Sequence, residues 1–66
     1  MEEKIIKLSE VKEITSLSTA SIYRLMGIGL FPKQIKLSTR SSGWLESEIK
    51  QYLDKCIENR EVQNAK

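Results

Sequence analysis

Between Ile14 and Leu45 the chain carries Arg24, Lys33, Lys36 and Arg40 and not one Asp or Glu. The same stretch holds the hydroxyls of Ser18, Thr19 and Ser21, spaced as at the opening of a helix. Cations, hydroxyls and free backbone N–H groups at a helix start bind anions. A carboxylate among them would repel the ligand, so its exclusion is as informative as the cations themselves. The net charge of +2 conceals this arrangement. Residues 1–13 set Lys4, Lys7 and Lys12 against Glu2, Glu3, Glu10 and Glu13, a balance of −1. Residues 46–66 set Lys50, Lys55, Arg60 and Lys66 against Glu46, Glu48, Asp54, Glu58 and Glu61, again −1. The middle is +4. A one-signed local field suits a polyanion such as nucleic acid.

Other chemistry is poorly provided for. There is no His, and Cys56 is the single cysteine, so one chain can assemble neither a disulfide framework nor a zinc site. Ser and Cys nucleophiles lack their usual general base. The chain reads as no enzyme, with no cofactor and no metal. Sixty-six residues make one domain, able to bury only about 60% of its unfolded surface. Its ordered core is expected over about 5–59, with 60–66 ("REVQNAK") as a flexible tail. No apolar run is long enough to span a bilayer, and "MEEKIIKLSE" lacks the charge order of a signal peptide. The expected location is the cytoplasm, in association with the nucleoid.

The elements that must position these groups follow from periodicity. "KIIKL" at residues 4–8 is a small edge strand or an ordered lead-in. "SEVKEITSLS" reads as a short helix capped by Ser9, with Leu8, Val11 and Ile14 inward and Leu17 in the following turn. Ser18 caps a second helix, in which Ile22, Leu25 and Met26 share one face while Thr19, Ala20, Tyr23 and Arg24 fall on the other. Gly27 and Gly29 end it. Phe31-Pro32 disfavours further helix, and Gln34 to Leu37 alternate polar and apolar. "STRSSG" is a polar turn in which Gly43 serves the backbone, and Gly43-Trp44-Leu45 returns as a second short strand. A third helix is expected from about Glu46 to about Asn59, striped by Leu45, Ile49, Tyr52, Leu53, Cys56 and Ile57. Phe31, Trp44 and Cys56 are assigned to the core, since no aromatic platform surrounds the two rings.

The fold is thus mainly α with a small β-hairpin, in the order of a winged helix-turn-helix. In that arrangement the second helix enters the major groove by its N-terminal residues. The candidate DNA-binding residues are Ser18, Thr19, Ala20, Ser21, Tyr23, Arg24, Lys36 and Arg40. Arg24 can reach guanine or a phosphate. Tyr23 either packs over the core or offers its hydroxyl to a phosphate, and Lys36 and Arg40 either touch the backbone or remain solvated hairpin charges.

Residues 8–53 resemble the AlpA family of small prophage-associated regulators, within the wider MerR-like and excisionase-like winged helices. The resemblance rests on the spine from Leu17 to Leu37, "LS.S.IYRLM..G.FPK..KL", and on "GWLESEI" at residues 43–49. It implies double-stranded DNA binding and transcriptional regulation of a mobile-element gene such as an integrase. Relatives often carry Arg or Lys just after the cap serine or beside the tryptophan. This chain has Thr19 and Leu45 there, which implies fewer phosphate contacts. Two alternatives stand beside regulation: an architectural factor that bends DNA to aid a recombinase, and an adaptor that holds a partner through the last helix. The adaptor would use the stripe ending in Cys56 and Ile57; a homodimer through the last helix is a further expectation, as is contact with an integrase, a recombinase or the transcription machinery.

Overall fold

The computed structural model describes residues 3–64, with side chains described to residue 60. Strand β1 (Ile5–Ile6) leads into helix α1 (Leu8–Thr15), then α2 (Thr19–Gly27), β2 (Ile35–Lys36), β3 (Ser42–Leu45) and α3 (Glu46–Asn64). The molecule is mainly helical with one small antiparallel sheet of order β1-β3-β2.

β1, α1, α2, β3, α3 and the loop after α2 each send one apolar side chain to a common centre. Ile6, Val11, Ile22, Phe31, Trp44 and Ile49 are buried, and Leu8, Ile14, Leu17, Leu25, Met26 and Tyr52 pack around them. Burial of such side chains contributes about 1.5–3 kcal/mol each, so a chain this short depends on all of them. The Trp44 ring meets Phe31 edge-on at 6.4 Å, and Phe31 meets Tyr52 at 4.7 Å. Trp44 Nε1–H donates to the Pro32 carbonyl at 3.0 Å, which ties the loop after α2 to the central strand.

The two short helices are set by their ends. Ser9 does not cap α1. The N-cap is Lys7, in extended backbone and without a side-chain cap bond. Pairing of β1 with β3 brings the chain into the helix two residues earlier than the hydroxyl signal suggests. At the other end Ser16 adopts the left-handed conformation, φ 63°, and its N–H donates to Lys12 O at 2.8 Å. Thr15 Oγ1 donates to Val11 O and accepts from Leu17 N–H, closing the turn into α2. Ser18 caps α2 as expected, accepting from Ser21 N–H at 3.2 Å. Gly29 (φ 81°) terminates it, with Gly29 N–H to Met26 O and Leu30 N–H to Leu25 O. That bond pair is a Schellman stop, and Gly27 is simply the last helical residue.

The hairpin β2–β3 pairs Ile35 with Gly43 and Lys36 with Ser42. Its tip closes through Ser41 N–H to Ser38 O. Residues 4–8 supply a third strand, pairing Ile5 with Leu45 and Ile6 with Trp44. Gly43 consequently lies in the central strand and not in the turn. A Cβ there would stand 2.6 Å from Ile5 Cγ2 and 2.9 Å from Ile6 O, so the residue permits close approach of β1.

Helix α3 outruns the core. Ile49 is buried, Tyr52 and Leu53 are half-buried, and from Asp54 onward every described side chain is exposed. Cys56, assigned to the core from the apolar stripe, is an exposed free thiol. Among the described residues nothing buries that length of helix, so periodicity alone overstated its burial. Helical backbone continues past the expected end near Asn59 to Asn64, while residues 65–66 of the expected tail lie outside the described residues. Among the described residues no helix is long and apolar enough to cross a membrane.

Candidate nucleic-acid interface

Helix α2 buries Ile22 and turns its other side outward. Ala20, Tyr23, Arg24 and Gly27 follow one another at i, i+3, i+4 and i+7, the spacing of a single helical face. All four are exposed. Ala20 and Gly27 are small, so another surface can come close to the helix backbone at both ends of this face. A Cβ at Gly27 would meet no atom within 4 Å, which confirms that the space is open.

At the helix start, Ser18 Oγ accepts from Ser21 N–H and donates to Ser21 Oγ at 3.1 Å. Ile22 N–H donates to Ser18 O. The first-turn N–H groups of Thr19 and Ala20 have no acceptor within the helix, because no residue stands four positions earlier in helical register. Thr19 is half-buried and Ala20 exposed. The cap therefore uses the Ser18 hydroxyl and leaves these two backbone donors outside the helix's own hydrogen-bond ladder.

Beyond Arg24 the cations are carried by the segment that follows α2. Tyr23, Met26 and Gly27 form one wall of an open depression of about 380 Å³, and Lys33 and Gln34 form the other. Lys36 is exposed on β2. Arg40 sits at the hairpin tip, exposed, its backbone N–H donating to Ser38 Oγ at 3.4 Å. The structure brings Ser18 and Ser21 into contact, places Tyr23 and Arg24 on one face and sets Tyr23 and Lys33 around one depression. No hydrogen bond or ion pair among the described residues ties Lys36 or Arg40 to α2. Lys33 was missing from the candidate set. It belonged to the acid-free cationic stretch, but only the folding of the loop against α2 puts it beside Tyr23.

The electrostatics agree with the charge pattern. The ion pair found among the described residues joins Lys4 to Glu10 at 3.9 Å, both largely exposed. Arg24, Lys33, Lys36 and Arg40 have no carboxylate partner there. Among the described residues no buried side-chain polar atom is left without a hydrogen bond.

Residues 4–57 match the model of a family described as Prophage CP4-57 regulatory protein (AlpA). The chain belongs to the AlpA family. This membership makes it a member of a phage regulatory family, in accord with the resemblance carried by the Leu17–Leu37 spine. Among curated proteins, an uncharacterized protein, ORF88 of Enterobacteria phage P4, is 32% identical to this AlpA-family chain over 59 residues, covering 89% of the chain and 67% of the relative. No solved structure matches.

Proposed function

We propose that this AlpA-family protein is a sequence-specific double-stranded DNA-binding regulator of transcription that docks as a winged helix-turn-helix. Helices α1 and α2 form the helix-turn-helix and the β2–β3 hairpin is the wing. The observation that carries this reading is the exposed surface of α2, its following loop and the hairpin, where Arg24, Lys33, Lys36 and Arg40 have no carboxylate partner among the described residues. On docking, the Thr19 and Ala20 N–H groups take a phosphate at the helix N-terminus. Arg24 reaches a base edge or the adjoining phosphate, and Tyr23 and Lys33 hold the backbone across their shared depression. Lys36 and Arg40 extend the contact along the wing. Such a protein works on genomic DNA in the cytoplasm.

Selection from a random DNA pool, followed by gel shifts on the recovered motif, tests the reading. Four phosphate-neutralising cations give a log–log salt slope of about −3 to −4 per chain. Affinity should then fall about 100-fold between roughly 50 and 200 mM salt. Arg24→Ala should weaken binding by about 1–3 kcal/mol and relax preference at one position. Failure to recover any motif, or an Arg24→Ala protein that binds like the wild type, refutes the assignment.

A further inference from the structure

The two most exposed large apolar side chains are neighbours. Ile28 is 62% and Leu30 63% exposed, separated only by Gly29 in its left-handed turn. In a Schellman stop the residue after the glycine commonly folds back onto the helix. Here Leu30 instead projects beside an open depression of about 440 Å³, whose apolar floor is Phe31, Pro32 and Tyr52. Its rim on α3 carries Glu48, Gln51 and Lys55. Isolated exposed aliphatics are ordinary, but an adjacent pair of which one, Leu30, lines an apolar hollow marks a contact surface.

The charges on that rim identify what covers it. Glu48 and Lys55 lie about two turns apart, roughly 10 Å along α3, too far to pair with each other. Neither has an ion-pair partner among the described residues. Gln51 and Tyr52 stand midway between them in sequence. A two-fold axis crossing α3 between Gln51 and Tyr52 lays two copies of the helix antiparallel. It sets Glu48 of each protomer opposite Lys55 of its partner, twice by symmetry. An isologous interface requires this kind of self-complementarity. Leu30, Phe31 and Tyr52 line the same hollow as Glu48 and Lys55, so the apolar groups and the charges share one face. We propose that this face, formed by Ile28, Leu30, Tyr52 and the Glu48–Lys55 edge of α3, is the interface of a homodimer. Its Glu48–Lys55 edge runs beside the Leu53–Cys56–Ile57 stripe and adjoins it at Tyr52, and the interface stands independently of DNA binding.

Sedimentation equilibrium of the full chain, without DNA and with reductant, tests the proposal over about 10 μM to 1 mM, the range for a small interface. The wild type should dimerise with concentration. Glu48→Lys and Lys55→Glu each place like charges across the axis twice, and each should weaken self-association at least about tenfold. An equimolar mixture of the two variants restores both attractive pairs and should form a heterodimer. The double exchange Glu48→Lys/Lys55→Glu should recover the homodimer, and Leu30→Ser should weaken it. Circular dichroism verifies folding of each variant, and recovery in the mixture separates charge pairing from misfolding. A wild type that stays monomeric throughout overturns the proposal, as does a dimer indifferent to the charge exchanges.

Discussion

Gly43→Ala is the smallest change that should damage this fold severely. The new methyl would stand 2.6 Å from Ile5 Cγ2, 2.9 Å from Ile6 O and 3.5 Å from Leu37 Cδ1. Ile5 is 41% exposed, so its methyl can swing outward. The Ile6 carbonyl belongs to the backbone of β1, and relief there requires β1 to move away from β3. Overpacking of this sort costs about 1–3 kcal/mol. Removing glycine's freedom from the unfolded chain returns about 0.4–1 kcal/mol. A net loss of about 1–2 kcal/mol is expected, against a total stability of about 3–10 kcal/mol for a domain of this size. The melting temperature should fall by about 4–16 °C. Thermal unfolding followed by circular dichroism measures it. Gly27→Ala serves as control, since its methyl meets nothing and should leave stability unchanged or improve it by up to about 1 kcal/mol. Hydrogen exchange should show the β1 amides opening first. A Gly43→Ala protein melting within about 2 °C of the wild type would refute the argument that close approach fixes this glycine.

Trp44→Phe keeps a ring against Phe31 but removes the bond to Pro32 O and leaves that carbonyl unpaired. Chemical denaturation followed by circular dichroism should show a loss of about 2 kcal/mol, and an unchanged midpoint would show that the bond contributes nothing. Ser16→Gly relieves a left-handed serine at the end of α1. Calorimetry should find a gain of about 0.5–1 kcal/mol, and a loss would mean that the serine side chain holds the turn. Burial, followed by hydrogen bonding and charge repulsion from Cys56, raises the Tyr52 phenol above its ordinary 10.0. The folded state therefore binds this proton more tightly than the unfolded one. The associated stability is present below pH 10 and is lost as pH rises through the raised value. Tyrosinate absorbance, assigned with Tyr52→Phe, should show the late titration. Cys56→Ala should shift it back in part, because burial remains.

The helix stripes were legible because a 3.6-residue period reports which side must leave water, whatever covers it. Val11, Ile22 and Ile49 were placed correctly on that ground, as was the Ser18 cap, which is a contact between residues three apart. The division of charge was equally visible, since it is a property of composition along the chain. Membership of the AlpA family agrees with the spine read from Leu17 to Leu37.

What periodicity could not supply was the identity of each element's neighbours. Cys56 shares its stripe with Ile49, but only Ile49 has the sheet beneath it. Gly43 resembled a turn glycine until β1, distant in sequence, arrived beside it. Lys33 gained a place beside Tyr23 only through the loop's return to α2. Local preference and charge are written residue by residue, and they determined the helices, the hairpin and the cationic middle. Close approach, exposure and the meeting of distant side chains depend on which surfaces pack together, and the tertiary structure alone decided those.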